Sequence, residues 1–543
     1  MGICTSNEYL KIQPSHGHLI SKSEVSNAAR LEIITKHYDF IKVLGYGQFG
    51  TVREAIKISP HSKSATAKSA PSNQIHYAVK SISKERLQDS LDLLKNELMI
   101  LQLVDHPNII KLYETYEDAK YIHLVTELCE GGDLYEYLID RENLSENEVT
   151  RIMQKVLSAV NHLHALHICH RDIKPENFML TSKKEGAELK LIDFGLSVRF
   201  GEDGMDTKVG TPYFLAPEIL RGGYGKECDI WSTGVMMYFL LANKYPFGGA
   251  GINDLLRNIQ KANYSFSDLC WKQISPQAKD LIARMLVVPP PDRITINQAL
   301  RHEWFTMVKD NCQIKIDGNI FDSLKKHKAR GKLWQEAMKV LVRNLSQEQL
   351  EGLQNIFKEI DRKQTGFITA DDIRTCMDKN GFYMAREEFN MLISNIEYLG
   401  NGKLNYTQFL IAALDKKKIF DDETLWMTFN HFDIDGNGSI SVHELRFVLE
   451  KAGCYISDTD MDEILGEFQL ESGGTMNFEE FKSIMWCFSN DSSEISTEND
   501  DLLYASRRGM RMLSQRKMTI RRTTMMGSMK KLKTSSQCDL NNF

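Results

Sequence analysis

The feature that most constrains this 543-residue chain is a pair of acidic segments. The first is His170-Arg171-Asp172-Ile173-Lys174-Pro175-Glu176-Asn177, and the second, Asp193-Phe194-Gly195, follows an apolar run. In phosphoryl transfer, one carboxylate orients a hydroxyl, while another carboxylate and an amide oxygen hold Mg²⁺ on the nucleotide phosphates. We assign the first role to Asp172 and the second to Asp193 and Asn177. Lys174 is close enough in sequence to neutralise charge on the transferring phosphate.

The order and separation of the two segments match the protein-kinase signature motifs. Either segment alone has a structural alternative, since aspartates cap turns and a histidine such as His170 is often a core residue. Together the segments favour phosphoryl transfer. The run from Lys174 to Asn177 resembles serine/threonine kinases and not the tyrosine-specific type.

Upstream, residues 43–52 alternate apolar side chains with glycines, which predicts two strands joined by a tight turn. Glycines let backbone N–H groups approach phosphates. A dinucleotide-binding turn uses the same pattern, but here the chain continues as a strand towards Lys80 and opens no helix. Residues 59–74, rich in Ser, Ala and Pro, predict a disordered insertion. The predicted ATP-contacting residues are Leu44, Gly45, Gly47, Gly50, Val52, Ala78, Lys80, Thr126, Glu127 and Cys129.

An ammonium in a nucleotide cleft needs a carboxylate partner. Leucines at helical spacing predict a helix that carries Glu97, and a Lys80–Glu97 ion pair would direct the ammonium at the α- and β-phosphates. A solvated surface glutamate is the alternative. The leucines are Leu87, Leu91, Leu94, Leu98 and Leu101.

Further motifs of the kinase pattern predict regulation and specificity. Asp133 and Glu176 lie where similar kinases receive an arginine three residues before the phosphorylated residue, which predicts Arg-x-x-Ser/Thr substrates. The activation segment ends at Ala216-Pro217-Glu218, and we expect Glu218 to pair with Arg293. Arg171 is expected to pair with a phosphate or with an acid of that segment. The segment contains Thr207, Thr211, Glu202, Asp203 and Asp206, and we expect the acids to suffice without phosphorylation.

After the kinase motifs, a basic run at residues 325–328 precedes Trp334, Met338, Leu341 and Leu345 at helical spacing. A basic helix with one apolar stripe is typical of a calmodulin target. A plain amphipathic linker helix has the same pattern.

A calcium-binding loop is the strongest signal in the C-terminal part. The twelve residues from Asp433 to Glu444 place oxygen ligands and glycine as an EF-hand requires. The predicted ligands are Asp433, Asp435, Asn437, the Ser439 carbonyl and bidentate Glu444, with Ser441 acting through water.

Three further loops at repeat-like spacing are degenerate. The loop from Asp361 has Lys363 at its third position and the shorter Asp372 at its twelfth, which allows weak or Mg²⁺-like binding at most. The loop from Glu397 has Leu399 as its third residue and Gln408 as its twelfth, and the loop from Gln469 has Gly473 as its fifth. Four helix–loop–helix units in two pairs are still expected.

Residues 38–488 resemble the calcium-dependent protein kinases of plants and protists. The resemblance implies a multidomain chain: a bilobal α+β kinase fold followed by an all-α calmodulin-like domain. It implies MgATP and Ca²⁺ as cofactors, and autoinhibition by a junction that calcium loading relieves. The predicted parts are an acylation segment at 1–37, the kinase at 38–305, the junction at 306–345, the calmodulin-like domain at 346–488 and a disordered basic tail at 489–543.

The termini and composition predict location. Met1-Gly2-Ile3-Cys4-Thr5-Ser6 fits the myristoylation pattern at Gly2, and palmitate on Cys4 would add the second anchor that stable membrane binding needs. An ordinary disordered N-terminus is the alternative. Scattered cysteines, no signal peptide and no apolar run of about 18 residues predict a cytoplasmic protein held peripherally on the cytosolic face of a membrane.

The tail differs from the family pattern. Residues 507–533 carry ten cations interleaved with methionines, although the whole chain has a net charge of −6. An anionic membrane surface, autophosphorylation at Arg-x-x-Ser/Thr sites, a calmodulin-type target helix and a solvated tail all fit this composition. An acidic body with a basic tail disfavours a nucleic-acid-binding fold.

For the whole protein we expect a monomeric, calcium-activated serine/threonine kinase acting on protein substrates. Two alternatives are a constitutive kinase with structural EF-hands and a pseudokinase scaffold.

Overall fold

The structure, a computed structural model, divides into two compact units: residues 1–329 with 345–414, and residues 330–344 with 415–543. The residues it describes are 34–47, 50–58, 75–86, 91–141, 144–184, 186–201, 204–306, 318–326, 332–343, 345, 347–400, 402–414, 419–451, 461 and 474–489. Gly2, Cys4, the predicted insertion at 59–74 and the basic tail lie outside these residues.

The first unit begins with a five-stranded antiparallel sheet, in which the strands follow the order β1-β2-β3-β5-β4. One face has a small aromatic core that includes Tyr38, Tyr77 and Tyr116. The strands are β1 (Tyr38–Tyr46), β2 (Gly50–Lys57), β3 (His76–Ser83), β4 (Leu112–Glu117) and β5 (Tyr121–Glu127).

Helix α1 (Leu91–Leu103) lies between β3 and β4 in the chain. Leu94, Leu98 and Leu101 are buried, as the helical spacing predicts, and they join the same core as Ile82 and Leu124 of the sheet. Leu87 lies outside the described residues. The helix therefore carries Glu97 on an element packed against the strand that holds Lys80.

The second lobe is mainly helical, and helix α4 is its centre because every residue from Cys228 to Ala242 is buried. Ser145 caps the long helix α3 by accepting the N–H of Glu148. The helices are α2 (Leu134–Arg141), α3 (Glu146–Ala165), α4 (Glu227–Ala242), α5 (Ile252–Gln260), α6 (Pro276–Met285), α7 (Ile296–Leu300) and α8 (Glu303–Thr306). Short strands β6 (Ile168–Cys169), β7 (Phe178–Leu180), β8 (Leu189–Leu191) and β9 (Val198–Arg199) pair as β6–β9 and β7–β8.

A buried ion pair stabilises this lobe. The guanidinium of Arg293 donates to both carboxylate oxygens of Glu218, at 2.6 and 2.9 Å, and to the carbonyl of Glu227. The Arg293 side chain is fully buried. This is the Glu218–Arg293 pair that the sequence predicts, and the bidentate geometry compensates for the desolvation of both charges.

The first unit also contains a pair of helix–loop–helix elements after the helical lobe. Their loops pair through two short antiparallel strands. Helix α9, from the predicted junction, packs against α13 and α14, and its Phe321 contacts Phe382. The elements are α9 (Asn319–Lys326), α11 (Gln347–Ile360), β10 (Phe367–Thr369), α12 (Ala370–Asn380), α13 (Arg386–Gly400), β11 (Lys403–Asn405) and α14 (Tyr406–Ala413).

The second unit contains the other pair and the second junction helix. Helix α10 packs against α15 and α16, and it buries the predicted apolar stripe of Trp334, Met338 and Leu341. The elements are α10 (Lys332–Arg343), α15 (Asp422–Phe432), β12 (Ser439–Ser441), α16 (Val442–Lys451), β13 (Thr475–Asn477) and α17 (Phe478–Ser489). Strands β12 and β13 pair in antiparallel fashion. Among the described helices, none combines the length and the apolar character of a membrane span.

Candidate active site and calcium loop

The centre of the site is Asp172, on the loop after β6. One carboxylate oxygen, Oδ1, accepts the hydroxyl of Thr211 at 2.8 Å and its backbone N–H at 3.2 Å. The other oxygen lies 2.8 Å from the ammonium of Lys174, which also donates to the Thr211 hydroxyl at 2.9 Å. Three groups therefore hold the carboxylate in one orientation. Sequence analysis assigned Thr211 to the activation segment but did not predict this contact.

Asn177 is bonded to the same aspartate. Its side-chain amide donates to the backbone carbonyl of Asp172 at 2.7 Å and to Oδ2 at 3.1 Å. Its backbone carbonyl accepts the N–H of Ile192, the residue before Asp193. The two segments that the sequence predicts to cooperate are thus hydrogen-bonded to each other.

Asp193 and Lys80 act on one another electrostatically. Desolvation in the cleft opposes ionisation of Asp193, but the Lys80 ammonium and the Gly195 N–H, 3.0 Å away, lower its pKa below the usual value. Desolvation likewise disfavours charged Lys80, yet Glu97 and Asp193 outweigh it and raise the pKa of Lys80. The Lys80–Glu97 ion pair, at 2.8 Å, is present as predicted. An ionised carboxylate and an ammonium therefore share the cleft, together with Lys174.

A residue whose role the sequence does not predict fixes the loop that carries Asp172. Asp229, fully buried on α4, accepts the backbone N–H groups of His170 and Arg171 at 2.9 and 2.8 Å. It also lies 2.9 Å from His164 Nε2. Burial by itself would raise the pKa of Asp229. These hydrogen bonds and the neighbouring histidines outweigh burial and lower the pKa below its usual value, so the carboxylate is charged. Arg171 has φ of +68°, an unfavourable conformation for a side-chain-bearing residue, and the bonds to Asp229 offset that cost.

The pairing of β1, β2 and β3 explains the predicted glycines. In β1 and β2, Gly45 pairs with Val52. Gly47 donates its N–H to the carbonyl of Gly50. A Cβ on Gly50 would overlap the backbone carbonyl of Ser81, so glycine is required there for β2 and β3 to pair. Leu44 is largely exposed beside them.

Between the lobes, the structure places the predicted adenine-contacting residues on and after β5. Ala78 of β3 pairs with Thr126, whose hydroxyl contacts the Ala78 carbonyl. The Glu127 carboxylate accepts the Lys111 N–H and pairs with the Lys190 ammonium at 3.0 Å, which fixes this segment. Burial raises the pKa of the Cys129 thiol to about 12, so that thiol stays neutral.

The activation segment bears on the predicted partner of Arg171. Arg171 does not pair with Asp206; it donates instead to the Leu196 carbonyl and the Tyr224 hydroxyl. Asp206 accepts the Gly223 backbone N–H at 2.7 Å, and pairing of Arg171 with a phosphate or with another acid of the segment stays a prediction. Glu202 and Asp203 lie outside the described residues. The Tyr224 hydroxyl donates to the Thr207 carbonyl, which connects Arg171 to the segment through a neutral bridge.

Asp133 and Glu176 form an acidic pair near the catalytic loop. Burial is the main cause of the raised pKa of Glu176, and the neighbouring carboxylates of Asp133 and Asp172 raise it further, against the opposing effect of Lys174. Asp133 accepts the N–H of Glu136 at 2.8 Å. A cation placed beside Glu176 would relieve this repulsion.

The calcium loop from Asp433 to Glu444 has converging carboxylates. Oxygens of Asp433, Asp435 and Glu444 lie within 4.8 Å of one another. Burial and the charges of Glu444 and Asp435 raise the pKa of Asp433. Asn437 accepts the Ser439 N–H at 2.8 Å, and Glu444 accepts the N–H of Ser441. This hard oxygen donor set with clustered negative charge fits Ca²⁺.

The other three EF-hand loops lack this complete set of oxygen ligands in their sequences. In the first, the Lys363 ammonium lies 3.7 Å from the Asp372 carboxylate, so an internal cation faces a ligand position. In the second, Gln408 accepts the N–H of Asn405 as a helix cap. In the fourth, residues 469–473 lie outside the described residues, and Glu480 accepts the Asn477 N–H.

Comparisons with known proteins agree with this organisation. Residues 38–305 match the protein kinase domain and residues 422–485 match the EF-hand domain pair. Calcium-dependent protein kinase 21 of Arabidopsis thaliana is 36% identical over 460 residues, 84% of this chain and 83% of the relative. Calcium-dependent protein kinase 3 of Plasmodium berghei (strain Anka) is 35% identical over 422 residues, 76% of each chain. The chain therefore belongs to the calcium-dependent protein kinases and is a calcium-regulated serine/threonine protein kinase.

Proposed function

We propose that Asp172 accepts the proton of a substrate serine or threonine hydroxyl while the γ-phosphate of MgATP is transferred. The network of Asp172, Lys174, Asn177 and Thr211 supports this role, because it fixes the carboxylate before substrate arrives. Lys174 stabilises charge on the transferring phosphate. Preorganised charge of this kind is the main contribution a protein makes to phosphoryl transfer.

Asp193 and Asn177 are the proposed Mg²⁺ ligands, since both supply hard oxygen donors beside the catalytic carboxylate. The Mg²⁺ that these two residues would hold supplies positive charge that neutralises the nucleotide phosphates. Lys80, oriented by Glu97, would contact the α- and β-phosphates. Ala78, Val52 and the backbone of Glu127 and Cys129 would enclose the adenine, with Leu44, Gly45, Gly47, Gly50 and Thr126 completing the pocket.

The first test is phosphorylation of an Arg-x-x-Ser peptide by full-length protein. Asp172→Asn should lower kcat by about 10²–10⁴-fold with little change in the KM for ATP. Asp254→Asn, an exposed position on α5, is the matched control and should retain activity. Undiminished turnover by Asp172→Asn would contradict the assignment, and an inactive wild type would favour the scaffold alternative.

Calcium regulation is proposed to act through the loop at Asp433. Helix α10 packs on the helices that flank this loop. Calcium loading is proposed to strengthen this packing and so to relieve inhibition by the junction. Asp433, Asp435, Asn437, the Ser439 carbonyl and Glu444 would hold the ion. Turnover should rise with calcium and fall with chelator. Equal rates in both conditions would select a constitutive kinase with structural EF-hands.

Substrate preference is proposed to come from Asp133 and Glu176, which would bind an arginine three residues before the acceptor. The raised pKa of Glu176 supports a site that a cation completes. Replacing that arginine by alanine in the peptide should raise KM. Equal phosphorylation of the two peptides would remove the proposal.

We also propose that the protein is anchored peripherally on the cytosolic face of a membrane by myristate on Gly2 and palmitate on Cys4, with the basic tail as a second contact. The sequence pattern alone supports this. Mass spectrometry of the natural N-terminus checks it, and an unmodified Gly2 would contradict it. Sedimentation equilibrium would test the expected monomer.

A further inference from the structure

The first EF-hand loop contacts the kinase helical lobe within the first unit. The side-chain amide of Asn161 donates to the backbone carbonyls of Lys363 and Gln364, at 3.1 and 2.8 Å. Its neighbour His162 lies 2.9 Å from the carbonyl of Thr365. Three successive carbonyls of a loop whose intact relative binds calcium are thus occupied by side chains of α3.

The fit around His162 is close. Its ring lies 5.3 Å from the ring of Phe367, and a Cβ on Gly366 would come within 2.2 Å of its Nδ1. Gly366 also has φ of +76°. Glycine therefore serves both the loop conformation and the approach to the kinase.

Two polar contacts flank the loop. On one side, Glu188 of the kinase accepts the ammonium of Lys358 from α11 at 3.0 Å, and it also pairs with Lys155 at 3.2 Å. On the other side, Asp105 of the kinase accepts both the backbone N–H and the hydroxyl of Thr407, each at 2.9 Å. Contacts at α11, at the loop and at α14 span both helix–loop–helix elements of the first pair.

The ligand positions of this loop are occupied by contacts within the protein. Asp361, the first ligand position, accepts the backbone N–H groups of Thr365 and Gly366. Lys363 places an ammonium 3.7 Å from Asp372 at the twelfth position. A divalent cation at these ligands would have to displace the lysine, which disfavours calcium binding by this loop.

We propose that the first EF-hand pair is a calcium-independent docking module, which binds the kinase helical lobe through the loop Asp361–Asp372 and through Lys358 and Thr407. Calcium then acts on the second pair alone, while the first pair stays on the kinase in both states. This docking depends on the interface contacts and not on the catalytic roles proposed above.

Hydrogen–deuterium exchange on the full-length protein tests the docking. Thr407 is the second residue of α14, where helical N–H groups have no partner within the helix, so protection of its amide reports the bond to Asp105. With calcium and with chelator, this amide should exchange at the same rate within about twofold. The loop at Asp433 should show at least about tenfold slower exchange with calcium.

Variants at the interface supply the second measurement. Lys358→Met combined with Asp105→Ala should speed exchange of the Thr407 amide by at least about tenfold in both conditions. Lys379→Met is the matched control, because Lys379 belongs to the same helix–loop–helix pair but forms its ion pair with Glu359, within that pair and at a more exposed position. It should leave that exchange unchanged.

Protection of Thr407 that appears only with calcium would overturn the proposal, as would unchanged exchange in the double variant. If the double variant fails to fold, the wild-type comparison decides. A peptide phosphorylation assay on the same samples keeps failure of docking separate from failure of the kinase assignment.

Discussion

Replacing Glu188 by glutamine should destabilise the kinase lobe strongly. Glu188 is nearly buried and receives ammonium groups from Lys155 and Lys358, as well as the side-chain amide of Asn108. Burial raises its pKa, but the two lysines reverse the effect and lower the pKa from 4.5 to about 2. The carboxylate is therefore more stable ionised in the folded protein than in the unfolded chain.

The size of the effect follows from that pKa shift. A fall from 4.5 to about 2 corresponds to about 3 kcal/mol of folding free energy at neutral pH. Because the folded pKa is lowered, this stabilisation is fully present above the unfolded pKa and is lost as pH falls towards 2. Glu188→Gln should thus cost about 3 kcal/mol at pH 7 and progressively less below about pH 5.

Two matched variants calibrate the measurement. Lys358→Met removes one of two lysine partners, and burial lowers the pKa of Lys358, so it should cost only about 1 kcal/mol. Glu359→Gln breaks a more exposed pair with Lys379 and should cost under about 0.5 kcal/mol of folding free energy.

Hydrogen exchange of buried amides in α3, followed through a urea series, reports the stability of the kinase lobe by itself. A Glu188→Gln cost below about 0.5 kcal/mol, or one that grows as pH falls, would refute the reasoning.

Three further outcomes are expected. Glu444→Gln should weaken calcium binding at least about tenfold by calorimetry, while Asp372→Asn should not change it; equal losses would contradict a single calcium loop. Arg293→Met should lower the free energy of unfolding, measured in urea, by about 3–5 kcal/mol, and adding Glu218→Leu should restore part of that loss. If the losses of the two substitutions simply add, the ion pair does not explain them. Cys129 should resist iodoacetamide at pH 8 until urea unfolds the protein, since its pKa is about 12; rapid alkylation of native protein would contradict this.

Local patterns predicted the contacts that short motifs encode. The Lys80–Glu97 and Glu218–Arg293 ion pairs follow from a motif residue and its expected partner. The apolar stripe of α10 follows from helical spacing, because burial of one face is a property of the helix itself. The converging oxygen donors of the loop at Asp433 were also recognisable, since an EF-hand loop is contiguous in sequence.

Contacts that depend on tertiary packing could not be predicted in this way. Asp229 binds backbone N–H groups far upstream, and no spacing rule connects α4 to the loop at Arg171. Asn161 lies 202 residues from Lys363, and an asparagine on a helix carries no signal of such a partner. The partner of the Asp206 carboxylate, the backbone N–H of Gly223, is likewise not encoded by any short motif.

The division of the chain has a mechanical consequence. The polypeptide enters the second unit at residue 330, leaves it after residue 344 and returns at residue 415. The chain therefore passes between the two units three times. If α10 dissociated from its partner helices, it would remain tethered at both ends. Rebinding would be intramolecular, governed by the length of short linkers and not by protein concentration. The calcium response of this kinase should therefore be independent of dilution.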